Sequence, residues 1–253
     1  MNPYTEWDFY FCTIEERPAS IMLDLALIES APVADQTEFV QVAIQLNQPN
    51  EYGLTTQGEA EVLYVLEDRL AEHMAENLGA VYVGRNTHHG SRTFYFYAKS
   101  SVDVDAVVEE VMDSFTDHRY TCEAVSDPEW TFYQQFLYPS HMEYQSILNR
   151  RVIEKLEAQG VALSESREVE HFLYFKSESS RSVFLERIKG ENFQINQQYQ
   201  SETNTELPFK LVLSRKDRME PHTIDAVVMF LAQLAEECQG EYDGWGTGVV
   251  LTE

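Results

Sequence analysis

The order in which two hydrophobic periodicities follow each other along the chain limits the folds open to it. Apolar residues at every second position predict strands, and apolar residues that recur every three to four positions predict helices. From Phe39 onward the order is strand, helix, strand, strand, helix, strand. From Val169 the same order returns. The pattern therefore predicts an α+β protein with two tandem units.

Two further strand-like runs precede the first unit and predict an extra N-terminal hairpin. Strands are expected over residues 7–12, 20–27, 39–46, 80–86, 92–98 and 120–125. A helix is expected over 57–78, with Gly79 as the residue that ends it. Asp103 is expected to cap a second helix.

The second unit follows a linking helix, which is expected over 141–159 and ends at Gly160. Strands are expected over residues 169–175, 193–199, 209–213 and 242–251. Ser179 or Ser180 is expected to cap the helix between the first two of these strands, and Pro221 to open the helix before the last.

Each β-α-β-β-α-β order predicts a ferredoxin-like sandwich, in which two helices cover one face of an antiparallel sheet. The right-handedness of crossover connections excludes most alternatives. The segment over 129–138, which is followed by Pro139, is the best candidate for a boundary. We therefore expect one domain over residues 1–138 and a second over residues 139–253.

The charge of the chain is strongly acidic and uneven. The net charge is −25, of which residues 1–138 carry −18 and residues 139–253 carry −7. Direct binding to a phosphate backbone needs a basic face, so this charge argues against direct nucleic-acid binding. An acidic surface attracts basic protein partners, and it also serves solubility, so both interpretations stay open.

No motif of a known catalytic centre is present in the sequence: P-loop, G-x-S-x-G, H-E-x-x-H and C-x-x-C are all missing. The glycines around Trp245 do not open a helix, as a nucleotide-binding loop must. His88 and His89 point apart in an extended chain, which favours a polar hairpin tip over a metal site. The aromatic run from Phe94 to Tyr97 lacks the basic neighbours of an RNA-stacking platform, and its alternation suits a covered sheet.

Cysteine use and hydropathy indicate a cytoplasmic protein. Cys12, Cys122 and Cys238 lie far apart and are odd in number, which favours free thiols in a reducing compartment. No apolar run reaches the roughly 18 residues of a membrane span, and the first residues lack the pattern of a signal peptide. We expect no association with membranes.

Two motifs in the second half carry a resemblance to a known family. Residues 167–175, REVEHFLYF, resemble the opening strand of the family called regulator of ribonuclease activity B. Residues 240–245, GEYDGW, resemble the G-x-Y-D-G-W sequence that enters the last strand of that family. The resemblance covers residues 140–250.

The first half is similar to a domain of unknown function that often precedes this module. The similarity rests on the motifs W-x-F-Y from Trp7, Y-V-G-R from Tyr82, D-P-E-W from Asp127 and L-Y-P-S from Leu137. It implies an architecture and no activity.

The resemblance of the second half implies a ferredoxin-like fold and a non-catalytic regulator that contacts ribonuclease E and alters its action on RNA. No cofactor is implied, and the charge favours a basic protein partner. The candidate partner-binding residues are Arg167, His171, Asp243 and Trp245, of which Trp245 also fits a core position. The alternative function is a small-molecule enzyme or ligand-binding protein that uses the cleft between the two domains, with His171 or Asp243 taking part.

Overall fold

A computed structural model describes residues 4–201 and 205–248. The chain divides into two compact units, Met1–Tyr144 and Gln145–Glu253. Each unit is built on one antiparallel sheet with helices packed against it. The predicted α+β class is therefore confirmed. No helix within the described stretches combines the length and the apolar character needed to cross a membrane.

The first unit contains a six-stranded sheet in the order β1-β2-β4-β5-β3-β6. Its strands are Trp7–Ile14 (β1), Arg17–Asp24 (β2), Glu38–Gln45 (β3), Val81–His88 (β4), Ser91–Ala98 (β5) and Tyr120–Ser126 (β6). The first two strands form the expected N-terminal hairpin, and β2 joins it to the sheet beside β4. A short 3-10 helix, Leu25–Glu29, stands where the sequence predicted the end of the second strand.

Helices α1 (Gln57–Leu78) and α2 (Val104–Met112) pack on one face of this sheet. The periodicity predicted both ends of α1, and Gly79 ends it with a φ of 60°. Asp103 precedes α2 as predicted, but its side chain makes no capping hydrogen bond. A capping residue normally has an extended backbone, whereas Asp103 has a φ of 68°.

An aromatic segment over residues 127–138 covers the opposite face of the sheet. It contains the π-helical turn Tyr133–Leu137 and the fully buried Trp130. The ring of Phe132 lies 4.2 Å from that of Phe39, on β3. The residues that the sequence marked as a boundary thus pack on the first sheet.

Strand β5 is consequently buried on both faces. Phe94 and Phe96 lie in the core beneath the helices, while Tyr95 and Tyr97 contact the rings of the aromatic segment. All four side chains are buried. The interpretation of this run as part of a covered sheet is confirmed, and the rings do not offer a surface on which RNA bases could stack.

The Y-V-G-R motif marks a bulge in β4, where the pairing with β5 shifts between Tyr82 and Gly84. Gly84 has a φ of 155°, and a Cβ atom there would lie 2.5 Å from the carbonyl oxygen of Met22.

We expect Gly84→Ala to destabilise the first unit by about 2–3 kcal/mol, because backbone atoms on the neighbouring strand must shift. Urea unfolding measures this change. Gly58→Ala is the control, since a Cβ there meets no atom within 4 Å and alanine favours the helix; equal effects at the two glycines would contradict the prediction.

The second unit contains a four-stranded sheet in the order β10-β7-β9-β8. Its strands are Ser166–Phe175 (β7), Gln194–Gln200 (β8), Phe209–Arg218 (β9) and Gly240–Thr247 (β10). The last strand was predicted over 242–251, of which residues 249–251 lie outside the described residues.

Three helices accompany this sheet: α3 (His141–Ala158), α4 (Glu178–Arg187) and α5 (Pro221–Glu237). Pro221 opens α5 as predicted. The prediction that Ser179 or Ser180 caps α4 is wrong. Ser177 is the cap, and its side chain accepts a hydrogen bond from the backbone N–H of Ser180.

Candidate functional site

His171 lies in the middle of β7 with no exposed surface. Alternate residues of this strand, from Val169 to Phe175, are buried with it in the core of the second unit. The sequence left open whether His171 or Phe172 faces away from the helices, and the structure places His171 on the buried side. A partner therefore cannot touch this side chain unless the strand moves.

One hydrogen bond holds the imidazole of His171. Its Nδ1 lies 2.9 Å from the hydroxyl oxygen of Tyr242, and its Nε2 has no hydrogen-bond partner among the described residues. Burial lowers the pKa of His171 to about 4, with Asp217 acting in the opposite direction and Arg215 in the same direction. The ring is thus uncharged at neutral pH.

A bulge in β10 explains the Y-D-G-W motif. The register with β7 shifts between Tyr242 and Gly244, so Asp243 is the extra residue and has no partner across the strands. Regular alternation would send Tyr242 and Trp245 to opposite faces, because they are three positions apart. With the bulge, both side chains pack against the core. Gly244 has a φ of 139° there, a conformation that side chains disfavour.

Trp245 connects β10 to two helices. The residue is half-buried, and its indole N–H donates to Oδ1 of Asn149 on α3 at 2.7 Å. The amide of Asn149, itself buried, donates in turn to Oδ1 of Asp225 on α5 at 2.7 Å. The sequence did not mark Asn149, because a lone polar residue on an amphipathic helix gives no signal of such a contact.

Arg167 and Asp243 differ in exposure. Arg167, at the start of β7, is half-buried. Its Nη2 lies 3.8 Å from Oε2 of Glu165, and its Nε is buried without a hydrogen bond. Asp243 is exposed. Of the four candidate residues, three retain accessible surface: Arg167, Asp243 and Trp245. His171 is buried in the core.

The first unit holds a separate cavity of about 430 Å³ that the sequence did not indicate. Glu59 and His118 lie among its lining residues, with His118 Nε2 at 3.9 Å from the Glu59 carboxylate. The carboxylate accepts hydrogen bonds from the backbone N–H groups of Asn47 and Gln48. These interactions tie the loop after β3 to the first turn of α1.

The histidine pair His88–His89 lies at the turn between β4 and β5, as the hairpin interpretation expects. His88 Nε2 is 3.1 Å from the carbonyl oxygen of Ile14, and His89 contacts Arg17. Over residues 4–201 and 205–248, no group of three or more histidine, cysteine, aspartate or glutamate side chains is arranged to hold a metal ion.

Comparison with known proteins assigns both halves of the chain. Residues 5–138 match the model of a family of unknown function, DUF695, and residues 146–247 match that of regulator of ribonuclease activity B. No curated protein matches the chain. The crystal structure of an unknown protein from Galdieria sulphuraria is similar at 11% identity, over 84% of this chain and 99% of that one, with a TM-score of 0.25. The resemblances of both halves are thus confirmed, and the chain belongs to the family of unknown function DUF695, with a C-terminal region that matches regulator of ribonuclease activity B.

Proposed function

We propose that this protein is a non-catalytic regulator that binds a ribonuclease directly, with ribonuclease E as the enzyme that the family's role implies. The observation that carries the proposal is the match of residues 146–247 to regulator of ribonuclease activity B. The partner region would be basic, because the chain carries a net charge of −25 and attracts positive segments. The cytoplasm is the proposed location, in keeping with the free thiols of Cys12, Cys122 and Cys238.

The fold proposed for each unit is the ferredoxin-like sandwich, with domains over 1–138 and 139–253. The strand orders β6-β3-β5-β4 and β10-β7-β9-β8 support it. In each, the third strand of the β-α-β-β-α-β order lies between the first and second strands, and the fourth lies beside the first. This is the arrangement expected for a split βαβ unit.

The proposed contact surface lies where β7 and β10 pair. Arg167, Asp243 and Trp245 would reach the partner through the surface that each of them retains there, and the hydrogen bond between His171 and Tyr242 would fix the pairing of the two strands. Two features favour protein over RNA as the partner: the strongly acidic net charge, and the burial of the aromatic residues of β5 in the first unit.

We expect the protein to bind purified ribonuclease E and a basic segment of that enzyme alone, and not to bind RNA alone. Opposite charges steer the encounter, so raising the salt concentration should weaken binding, mainly through a slower association rate. Biolayer interferometry against the three targets at low and physiological salt measures this. Binding to RNA without binding to the enzyme would overturn the proposal.

Two matched variants test the surface in the same assay. Asp243→Asn should weaken enzyme binding several-fold, whereas Glu157→Gln should leave it unchanged, because Glu157 is an exposed residue on α3 with the same charge. Equal effects of the two variants would mean that only the net charge matters and that the β7–β10 surface is not the contact.

A further inference from the structure

The cavity of about 430 Å³ in the first unit has the size of a small-molecule site, for which the usual range is about 300–1,000 Å³. Three segments line it: the loop after β3, the first two turns of α1 and the loop after α2. The charges and the hydrogen-bonding groups of this lining decide which class of molecule it suits.

Two polar side chains of the lining are more than nine-tenths buried. The side chain of Glu59 is 5% exposed and that of His118 is 8% exposed. Each oxygen of Glu59 accepts one backbone N–H, from Asn47 or Gln48, and has a lone pair to spare. Nε2 of His118 is buried with no hydrogen-bond partner among the described residues. Buried polar atoms are nearly always hydrogen-bonded, so this nitrogen points to a missing partner.

The distance between these two groups suits one shared donor. Nε2 of His118 lies 3.9 Å from Oε1 of Glu59, which is too long for a direct hydrogen bond. An N–H donor lies about 2.7–3.2 Å from its acceptor, so a single nitrogen atom can reach both of them. An ammonium group offers three donors and no acceptor, and it carries the charge that a carboxylate attracts.

The charges around the cavity favour a cation. The carboxylates of Glu59 and Asp117 line it, and no lysine or arginine of the described residues does. Arg69 lies beside the wall, with its guanidinium 5.6 Å from the ring centre of Phe115, but it is not part of the lining. The positive end of the α1 dipole opposes a cation, and Glu59 offsets it, because it is the third residue of that helix.

We propose that this cavity binds a small aliphatic diamine, with one ammonium between Glu59 and His118 and the other at Asp117. Asp117 is exposed and makes no ion pair with the described residues. Val62 and Phe115 offer apolar contacts to the methylene chain. A lysine side chain of a protein brings only one ammonium, so a free diamine uses more of the lining. The site lies in the first unit and does not rest on the proposed binding of a ribonuclease.

Isothermal titration of the full chain with putrescine tests the proposal. Putrescine should bind, n-butylamine should bind more weakly because it has one ammonium, and butyrate should not bind. Absence of putrescine binding would mean that only water occupies the cavity and would overturn the proposal. Tighter binding of butyrate than of putrescine would assign an anion to the start of α1, and tighter binding of a blocked lysine would assign a protein side chain; each result would overturn the diamine.

Variants of the two carboxylates separate their contributions. Glu59→Gln should weaken binding of both amines at least tenfold, because it removes the charge at the shared donor. Asp117→Asn should weaken putrescine binding about three- to fivefold and leave n-butylamine unaffected. Asp113→Asn is the matched control, since it removes the same charge from an exposed residue outside the lining. Equal effects of Asp117→Asn and Asp113→Asn would show a general attraction and overturn the assigned position of the second ammonium.

The imidazole resonances of the unchanged chain give a second measurement, which does not depend on how Glu59→Gln folds. Putrescine should shift the Nε2 signal of His118 in nitrogen-15 NMR spectra. The signals of His73 should stay in place, because its ring is bonded to the carbonyl oxygen of Arg69 on α1 and does not line the cavity. Unchanged His118 signals at saturating putrescine, or equal shifts at both histidines, would overturn the site.

Discussion

Replacing Trp130 with alanine is expected to lower the free energy of unfolding of the first unit by about 3–5 kcal/mol, the range for large aromatic side chains removed from a core. Trp130 has no exposed surface. Its ring stacks on that of Tyr97 with 4.1 Å between centroids, and its indole N–H donates to the carbonyl oxygen of Gln36 at 2.7 Å. The substitution removes both contacts and leaves a cavity between the sheet and the aromatic segment.

Asp127, in the same turn as Trp130, connects the aromatic segment to β5 through hydrogen bonds. The carboxylate of Asp127 accepts hydrogen bonds from the hydroxyl of Tyr97 and from the backbone N–H groups of Thr131 and Phe132. Burial alone would raise the pKa of Asp127, but these hydrogen bonds together outweigh it and lower the pKa. The D-P-E-W motif thus forms a turn that fastens the aromatic segment to β5, and Trp130 fills the space beneath that turn.

Chemical unfolding monitored by circular dichroism measures the effect of Trp130→Ala. Trp130→Phe is the first control. It keeps a ring stacked on Tyr97 and loses the hydrogen bond to Gln36, so it should lower the free energy of unfolding by less than the alanine variant does. Trp7→Ala is the second, because Trp7 is 38% exposed and stacks on Tyr82 at the surface. A loss at Trp130 no larger than that at Trp7 would contradict the packing role assigned to the segment.

The amphipathic helices and most strands of the first unit could be predicted from the sequence, because their apolar residues follow one period over their whole length. The aromatic segment could not. Its residues follow neither period, the turn Tyr133–Leu137 is π-helical, and Trp130 has a φ of 56° that only tertiary contacts hold in place. The sequence therefore marked the segment as a boundary without indicating that it covers the sheet.

The candidate site was predictable only in part, for a related reason. Alternation along β7 showed that His171 and Phe172 face opposite sides, but not which of them is buried. The bulge at Asp243 reverses the alternation in β10, and a bulge is set by strand pairing rather than by local sequence. The cap of α4 at Ser177 was missed because three serines stand close together and any of them suits the position.

We expect His171 to make the stability of the second unit fall steeply as the pH drops from about 6.5 to about 4. Burial lowers the pKa of His171 to about 4 in the folded chain, whereas an unfolded histidine titrates near 6.5. Below pH 6.5 the unfolded chain takes up a proton that the folded chain does not. The neutral imidazole therefore makes its full contribution to the free energy of unfolding above pH 6.5. That contribution is lost as the pH falls from 6.5 to 4, and the total loss is about 3 kcal/mol.

The surroundings of His171 explain why protonation is disfavoured. The ring of Phe193 packs edge-on against the imidazole with 5.8 Å between the ring centroids, and the hydroxyl of Tyr242 is hydrogen-bonded to Nδ1. Asp217 would favour an imidazolium, but Arg215 opposes it and donates a hydrogen bond to Asp217 at 2.9 Å. A proton on His171 would thus be poorly solvated in this core, and unfolding is the way to accommodate it.

Urea unfolding at several pH values between 7 and 4 measures the effect, with His171→Gln compared against the unchanged chain. Carboxylates titrate over the same interval in both proteins, so the difference between the two stability curves isolates the histidine. Between pH 7 and 4 the free energy of unfolding of the unchanged chain should fall by about 3 kcal/mol more than that of His171→Gln. His222→Gln is the control: it alters an exposed histidine, and its stability should change with pH as that of the unchanged chain does. Parallel curves for the unchanged chain and His171→Gln would show that the imidazole takes up its proton without leaving the core.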